Sequence, residues 1–289
     1  KKDRCLLVRN LLLLVYILLG FGLAAVQLLP GYELLSLSQR KFESIPSEWA
    51  FLEWKQIITF IAPDYFGNHA TANYWGPKNY TSNIGFVSVT ALIFALFAGK
   101  FFKKKKEIKF LVLLGAISLL LSIENYLSYQ LWKSNILGLE AGVSLRALVL
   151  FCFSVSCLSG FGFNYLIEAK RVSLPKLPIL LVGLLLIYFA IFSKELVSDD
   201  ILRQRVALRN LIIPTFSYVF IALVFIFWTR IKSLKWVIIC FTFTILILEL
   251  FYFGWKFTPF SERKIVYPET PILKFLQDKE KPFRVNGGI

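Results

Sequence analysis

Three ionisable side chains that could act on a substrate lie in one polar stretch near the start of the chain: Glu33, Asp64 and His69. A carboxylate can serve as a general base, because partial burial raises its pKa towards neutrality. Asp64 is the first candidate, since it follows Pro63 in a turn-like, aromatic sequence, and Glu33 is the second. The structural alternative is that Asp64 caps a turn or a following helix, as Pro-Asp pairs often do.

His69 is the only histidine of the chain, and no Cys or second His lies near it. It therefore has no metal-ligand spacing, and we expect it in a turn or at the surface. The four cysteines all lie in or beside apolar segments, where free Cys packs as a small apolar residue. Nucleotide-binding and zinc-binding motifs are missing, so the sequence predicts neither a metal site nor a cofactor.

Three arginines are candidates for binding a phosphate carried by a membrane lipid. Arg40 and Arg146 each stand at the mouth of an apolar run, and a guanidinium can bind a phosphate through two donors. Arg203 belongs to a third basic group, although neighbouring aspartates are close enough to pair with it. The alternative for all three is that the side chain simply extends from the apolar phase to the membrane interface.

Aromatic side chains crowd the same polar stretch, and Tyr65, Tyr74 and Trp75 are candidates for contacting a substrate. Aromatic rings stack on sugars, yet they also form the belts that mark any bilayer interface. The sequence leaves both interpretations open. In the last apolar run, Glu249 is costly in lipid and should face a partner or water unless it is exposed near the end of its helix.

The composition indicates a membrane protein. Hydrophobic residues make up 57% of the 289 residues, and the mean hydropathy is +0.64, well above that of soluble domains. The net charge of +15 does not indicate nucleic acid here. Lys and Arg concentrate in short loops between apolar runs, which is typical of orientation in a membrane.

The apolar runs predict an all-α polytopic membrane protein with about seven transmembrane helices. About 20 apolar residues are needed to cross about 30 Å of hydrocarbon. Pro30 and Gly31 are predicted to end the first helix, because proline lacks an N–H and glycine adopts unusual dihedrals. The predicted spans are 11–29, 85–102, 110–123, 147–167, 177–192, 211–228 and 237–253.

The distribution of basic residues predicts a cell-membrane protein whose first residues are cytoplasmic. Residues 1–256 would form the transmembrane domain, with outer loops at about 30–83, 124–146 and 193–210. An amphipathic helix from about Ser47 to Ala62 is predicted to lie along the interface in the first outer loop. Residues 257–289 are interpreted as the start of a truncated extracytoplasmic domain, and the chain, which has no Met, as an internal fragment.

The order of these features resembles the YfhO family of bacterial multi-span membrane proteins, which is similar to the GT-C class of lipid-linked glycosyltransferases. The resemblance covers most of the chain, and its motifs are short. They are QLLPGYELL at 27–35 with Ser38 and Arg40, PDYFG at 63–67, YWG at 74–76, Arg146 leading into SGFG at 159–162, and PFRV at 282–285.

The resemblance implies transfer of a sugar from a polyprenyl-phosphate donor to a glycopolymer or glycolipid acceptor of the cell envelope, outside the membrane. The catalytic acid of GT-C enzymes usually lies in the first outer loop of the full chain. If earlier spans precede this fragment, Asp64 is not its equivalent. The family therefore assigns no catalytic residue here, and Asp64 rests on the residue chemistry alone.

Two functions remain open from the sequence. The first is this glycosyltransferase, which convergence of Arg40, Asp64 and Arg146 on one outer cavity would favour, whereas their dispersal would leave only a scaffold. The second is a non-enzymatic transporter or flippase of a lipid-linked envelope precursor, for which polar groups should line the spans. A structural component of envelope assembly is a third interpretation. Membrane lipid is a partner in each case, and nucleic acid in none.

Overall fold

The structure is a computed structural model. It describes residues 2–37, 47–77, 80–134, 144–168, 176–191, 193, 200–228, 235–257, 262–263 and 270–279. Arg40 and the PFRV sequence at 282–285 lie outside these residues.

Regular structure in the described residues is helical, apart from one parallel bridge between Leu52 and Ile123. The α-helices are α1 (Lys2–Leu37), α2 (Ser47–Ala50), α3 (Val89–Ala98), α4 (Lys106–Ser122), α5 (Tyr126–Lys133), α6 (Leu148–Glu168), α7 (Lys176–Ile191), α8 (Ile201–Asn210), α9 (Ile212–Trp228), α10 (Lys235–Phe257) and α11 (Pro271–Gln277). Five short 3-10 helices accompany them at Trp54–Phe60, His69–Thr71, Tyr80–Ser82, Gly99–Phe101 and Ser144–Ala147.

Four stretches of the described chain are long and apolar enough to cross a membrane. They are Val8–Leu34, Ser144–Glu168, Ile201–Trp228 and Lys235–Phe257. The apolar stretches Val89–Phe101 and Pro178–Ile191 are shorter, and α4 has 17 residues. The four long helices support the prediction of a membrane protein, whereas seven crossings are not confirmed.

The first helix does not end where the sequence suggested. Instead of stopping at Pro30 and Gly31, α1 continues to Leu37. A proline removes a single N–H from the helical ladder, and helices of membrane proteins tolerate that loss. Ser36 supports the last turn, since its Oγ donates to the carbonyl oxygen of Glu33 at 2.8 Å.

The predicted interfacial helix is not confirmed. A four-residue helix ends at Ala50, and a 3-10 helix follows only at Trp54. The backbone between them is committed elsewhere, because the N–H of Leu52 donates to the carbonyl of Ser122 at 2.8 Å and the N–H of Glu124 donates to the carbonyl of Leu52 at 3.0 Å. The segment is thereby attached to the end of α4.

The termini of the helices gather at two opposite ends of the bundle, and we name each end by residues that lie there. The Asp64 end is marked by Asp64, which contacts the last residue of α8 and the C-terminal part of α10. The hydroxyl of Tyr65 donates to the carbonyl of Phe189 near the end of α7 at 3.1 Å. Because α4 also finishes beside Leu52, four helices end at or beside the segment that contains Asp64.

The lysine end is marked by the turn at 102–105, which connects α3 to α4. Phe101 stacks on Tyr165 of α6, with ring centroids 3.9 Å apart, and Phe97 contacts Phe225 of α9. Helices α3, α6 and α9 therefore run towards the lysine end. Helices α4, α7 and α10 run back towards the Asp64 end.

Among the described helices, the most extensive contact lies between α3 and α6. A Cβ added to Gly162 of α6 would overlap the backbone carbonyl of Phe94 in α3. Small residues allow such an approach between helices in membranes, where packing rather than the hydrophobic effect drives association. This contact fixes α3, which begins beneath the segment that carries Asp64.

Candidate functional site

Asp64 is the centre of a buried polar cluster at the Asp64 end. Only 4% of the residue is exposed. Its Oδ1 accepts hydrogen bonds from Asn68 Nδ2 at 2.8 Å and from the Tyr80 hydroxyl at 3.3 Å. Its Oδ2 pairs with Lys256 Nζ at 2.8 Å. The carboxylate is thus held by three side chains from two distant parts of the chain.

Lys256 comes to this cluster from the last turn of α10. Its Nζ also donates to the hydroxyl of Tyr252, one helical turn earlier, and lies 3.9 Å from the centre of that ring. The Lys256 side chain is 23% exposed, against 6% for the Asp64 side chain. An ammonium has three donors, so one remains after the bonds to Asp64 and Tyr252.

Tyr80 stays a hydrogen-bond donor over the whole physiological pH range. Burial, followed by the charge and the hydrogen bond of Asp64, raises the pKa of Tyr80 well above its ordinary value. Burial likewise raises the pKa of Tyr65 to about 12. Asn68 connects the two acceptors of this region, since its Nδ2 also lies 2.6 Å from the Tyr80 hydroxyl. The two neutral donors to Asp64, Asn68 and Tyr80, therefore stay uncharged.

Asn210 ties α8 to the same point by donating to the main-chain carbonyl of Asp64. The turn that carries Asp64 closes through a bond from the Gly67 N–H to the Asp64 carbonyl at 2.8 Å. Gly67 has a φ of 82°, a left-handed conformation that favours glycine. The position of Asp64 is consequently fixed through its main chain as well as its carboxylate.

Glu249 forms a second buried polar contact, on the same helix as Lys256. It is 5% exposed, and its Oε2 accepts a hydrogen bond from Ser88 Oγ at 2.6 Å. Its Oε1 lies 3.3 Å from the N–H of Val89, the first residue of α3. A carboxylate is favourable at the positive end of a helix dipole, so the cost of burying Glu249 is offset there.

Ser88 adopts an unusual backbone conformation to make this contact. Its φ is 86°, which costs a non-glycine residue about 1–3 kcal/mol. The Ser88 Oγ also accepts from the N–H of Ala91 at 3.2 Å and so caps α3. One hydroxyl thus connects the start of α3 to α10.

Replacing Ser88 by alanine should lower the free energy of unfolding by about 2 kcal/mol, because Glu249 loses a charge-assisted hydrogen bond and α3 loses its cap. Glycine at the same position should cost less, since it adopts a positive φ without strain. Unfolding of the purified protein by sodium dodecyl sulfate in mixed micelles measures both. Ser156→Ala, which removes an exposed hydroxyl bonded within its own helix, is the control, and an equal loss in it would contradict this role for Ser88.

Asp64 and Glu249 line the same small cavity. The cavity lies between residues 61–64, the junction of α8 and α9, and the C-terminal part of α10. Its lining residues are Ile61, Pro63, Asp64, Phe86, Asn210, Ile213, Pro214, Glu249, Tyr252 and Phe253. Two carboxylates therefore face one mainly apolar space, with the ammonium of Lys256 bound to one of them.

Of the arginines predicted from the sequence, Arg146 and Arg203 do not line this cavity, and Arg40 lies outside the described residues. Arg146 is exposed at the start of α6 and is not one of the lining residues. Arg203 pairs with Asp200, with Nε and Oδ2 3.1 Å apart, so the pairing alternative describes its contact. Glu33 lies exposed on α1, away from the lining residues. Within the part of the chain that the structure describes, the cation paired with Asp64 is Lys256.

The predicted aromatic residues form a packed layer next to the cluster. Tyr65 is fully buried and contacts Trp75, with centroids 6.5 Å apart. Burial and the charge of Glu53 raise the pKa of Tyr74 to about 12. His69 is exposed and lies against the rings of Tyr74 and Tyr80, at centroid distances of 4.8 and 5.0 Å.

The sequence interpretation overlooked four members of the cluster: Asn68, Asn210, Tyr252 and Lys256. A signal for two of them exists, because Glu249, Tyr252 and Lys256 are spaced by three and four residues and so share one face of α10. Nothing in the spacing of Asn68 or Asn210 indicates their contacts. Those contacts depend on how α8 and the turn at 63–66 meet in space.

The resemblance to a known family receives no support from comparison, and the YfhO family remains a prediction. Comparisons of the chain with protein-family models, with curated proteins and with solved structures gave no match.

Proposed function

We propose that this chain is the membrane part of a glycosyltransferase that moves a sugar from a polyprenyl-phosphate donor to a cell-envelope acceptor. The observation that carries this proposal is the cavity at the Asp64 end, which is lined by Asp64 and Glu249, together with the ion pair between Asp64 and Lys256. Glycosyl transfer requires a carboxylate to accept a proton and a cation to stabilise the departing phosphate. Both are present at one end of the apolar helices.

Lys256 takes the role of binding the donor phosphate. Among the described residues, Asp64 and Tyr252 accept from two of its three donors, and we assign the third donor to the phosphate. Asp64 acts as a positioning residue for this ammonium, since three donors already occupy its carboxylate. This arrangement supplies the cation that the sequence interpretation sought in Arg40 and Arg146.

Glu249 takes the role of the general base. Its Oε1 has, among the described residues, only the long bond from the Val89 N–H. In the reaction, the acceptor hydroxyl oxygen forms a bond to the anomeric carbon while its proton passes to Glu249. The bond from that carbon to the phosphate oxygen breaks, and the polyprenyl phosphate leaves beside Lys256.

We propose that the Asp64 end faces away from the cytoplasm. Lys103, Lys104, Lys105 and Lys106 mark the opposite end, and lysines in short loops favour the cytoplasmic side. In this orientation α3, α4 and α7 cross together with the four longer stretches, which gives seven spans and a cytoplasmic start. In this proposal residues 1–256 form the membrane domain, and residues 257–289 lie on the extracytoplasmic side.

Replacing Lys256 by methionine should lower sugar transfer by at least about tenfold, because the departing phosphate loses its charge partner. The measurement is transfer from a radiolabelled polyprenyl-phosphate sugar by the full-length protein in membranes. Lys256→Arg should retain part of the activity, and Lys55→Met, at an exposed ion pair, should retain all of it. Unchanged transfer by a folded Lys256→Met variant, with Arg146→Ala impaired instead, would contradict the assignment.

Glu249 also favours a second function, a transporter or flippase of a lipid-linked precursor. A buried carboxylate in a membrane-spanning helix often marks the path of a substrate or a proton. This function predicts movement of the lipid-linked sugar between the two leaflets of a vesicle without formation of a glycosidic bond. Measuring both products in the same vesicles separates the two functions.

A further inference from the structure

A concentrated positive charge occupies the turn at the lysine end. Six lysines fall within the ten residues 100–109, and Lys103, Lys104, Lys105 and Lys106 are exposed. Within the described part of the chain, no carboxylate lies within ion-pair distance of these four side chains. The nearby acids are Glu107 in the first turn of α4 and, at the end of α6, Glu168, which accepts a hydrogen bond from Asn164.

The turn is held in place although its charges repel one another. Its backbone closes through bonds from the N–H groups of Lys104 and Lys105 to the carbonyl of Phe101, at 2.9 and 3.1 Å. The stack of Phe101 on Tyr165 anchors one side, and the fully buried Ile108 anchors the other. Like charges held this close repel each other unless an anion neutralises them.

The neighbouring side chains indicate where the lysines lie relative to a bilayer. Phe110 and Leu113 of α4 are 62% and 45% exposed, so apolar surface begins within one turn of Lys106. Apolar side chains of this kind face lipid tails, which places the lysines at the depth of the headgroups. Their partner is therefore found in the membrane itself.

We propose that the four lysines 103–106 at the lysine end form a binding site for anionic glycerophospholipids, in which the ammonium groups contact the headgroup phosphates. The positive charge of the site matches the headgroup phosphate of a lipid whose acyl chains extend along the exposed face of α4. This site lies at the opposite end of the molecule from Asp64 and does not depend on the function proposed for that residue.

Native mass spectrometry of the full-length protein, titrated with phosphatidylglycerol or phosphatidylcholine, tests the proposal. The apparent Kd for the first phosphatidylglycerol should be at least about fivefold lower than for phosphatidylcholine, which corresponds to the contribution of one lysine at an anionic surface. Changing all four lysines to glutamine should reduce the ratio below about twofold. Changing all four to arginine should preserve it, and Arg205→Gln with Arg209→Gln, at the other end, should leave it unaltered.

Three results would overturn the proposal. The glutamine variant could keep the preference of the wild-type protein, millimolar inorganic phosphate could abolish that preference, or the wild-type protein could bind a random oligoribonucleotide and show no lipid preference. Thermal unfolding of each variant in the same detergent identifies a change that arises from misfolding. The arginine variant keeps the comparison valid if the glutamine variant does not fold.

Discussion

Replacing Asp64 by asparagine is expected to lower the free energy of unfolding by about 3 kcal/mol. The substitution keeps the shape of the side chain but leaves the Lys256 ammonium without a counter-charge in a largely buried position. Removing one member of a buried pair typically costs about 3–5 kcal/mol, and we take the low end because Lys256 is partly exposed. Unfolding by sodium dodecyl sulfate in mixed micelles gives the value.

An exposed ion pair provides the control for this prediction. Lys55 Nζ and Glu53 Oε2 are 2.7 Å apart, and the two side chains are 42% and 40% exposed. Lys55→Gln should therefore lower the free energy of unfolding by less than about 0.5 kcal/mol. Combining Asp64→Asn with Lys256→Met should cost less than the sum of the two single changes, because neither charge is then left unpaired. A loss for Asp64→Asn as small as that for Lys55→Gln would show that the pair contributes little.

Replacing Gly162 by alanine is expected to cost about 3 kcal/mol, at the upper end for overpacked interiors. The new methyl group would overlap the main-chain carbonyl of Phe94. Because backbone cannot move aside as a flexible side chain can, α3 and α6 have to separate along their contact. The same unfolding titration measures the loss.

Gly160 is the matched control on the same helix. A Cβ at Gly160 meets no atom within 4 Å, and alanine is the better helix former by up to about 1 kcal/mol. Gly160→Ala should therefore be neutral or slightly stabilising. If both glycines tolerate alanine equally, the close approach of α3 and α6 does not contribute to stability.

Apolar runs predicted the long helices well, because hydrophobic length alone determines them. The run predicted at 211–228 corresponds to α9 (Ile212–Trp228), and the run at 147–167 corresponds to α6 (Leu148–Glu168). Local sequence rules for helix ends were less informative where tertiary contacts determine where a helix stops. Pro30 did not stop α1, and the bridge at Leu52 interrupted the helix expected from Ser47 to Ala62.

The partners of Asp64 in the buried polar cluster were harder to predict than Asp64 itself. Asp64 was singled out by its sequence context, but its contacts with Lys256 and Asn210 join residues 192 and 146 positions away. Such contacts leave no periodic pattern in the sequence. Arg146 was predicted at the mouth of a span and Arg203 in a separate basic group, yet charge and location along the chain do not determine which cation reaches a given carboxylate.

The unequal lengths of the helices have a consequence for the surrounding bilayer. The stretch Val8–Leu34 of α1 has 27 residues and extends about 40 Å, but its continuous apolar run at 11–29 extends about 28 Å, which is close to a hydrocarbon core of about 30 Å. The 10 residues of α3 extend only about 15 Å, but most of its side chains are buried within the protein, so lipid does not meet its full perimeter. Lipid therefore meets the whole perimeter of α1, whose described side chains are nearly all exposed, and the match of its apolar run to the bilayer leaves Arg9 and Glu33 beyond the two ends of that run.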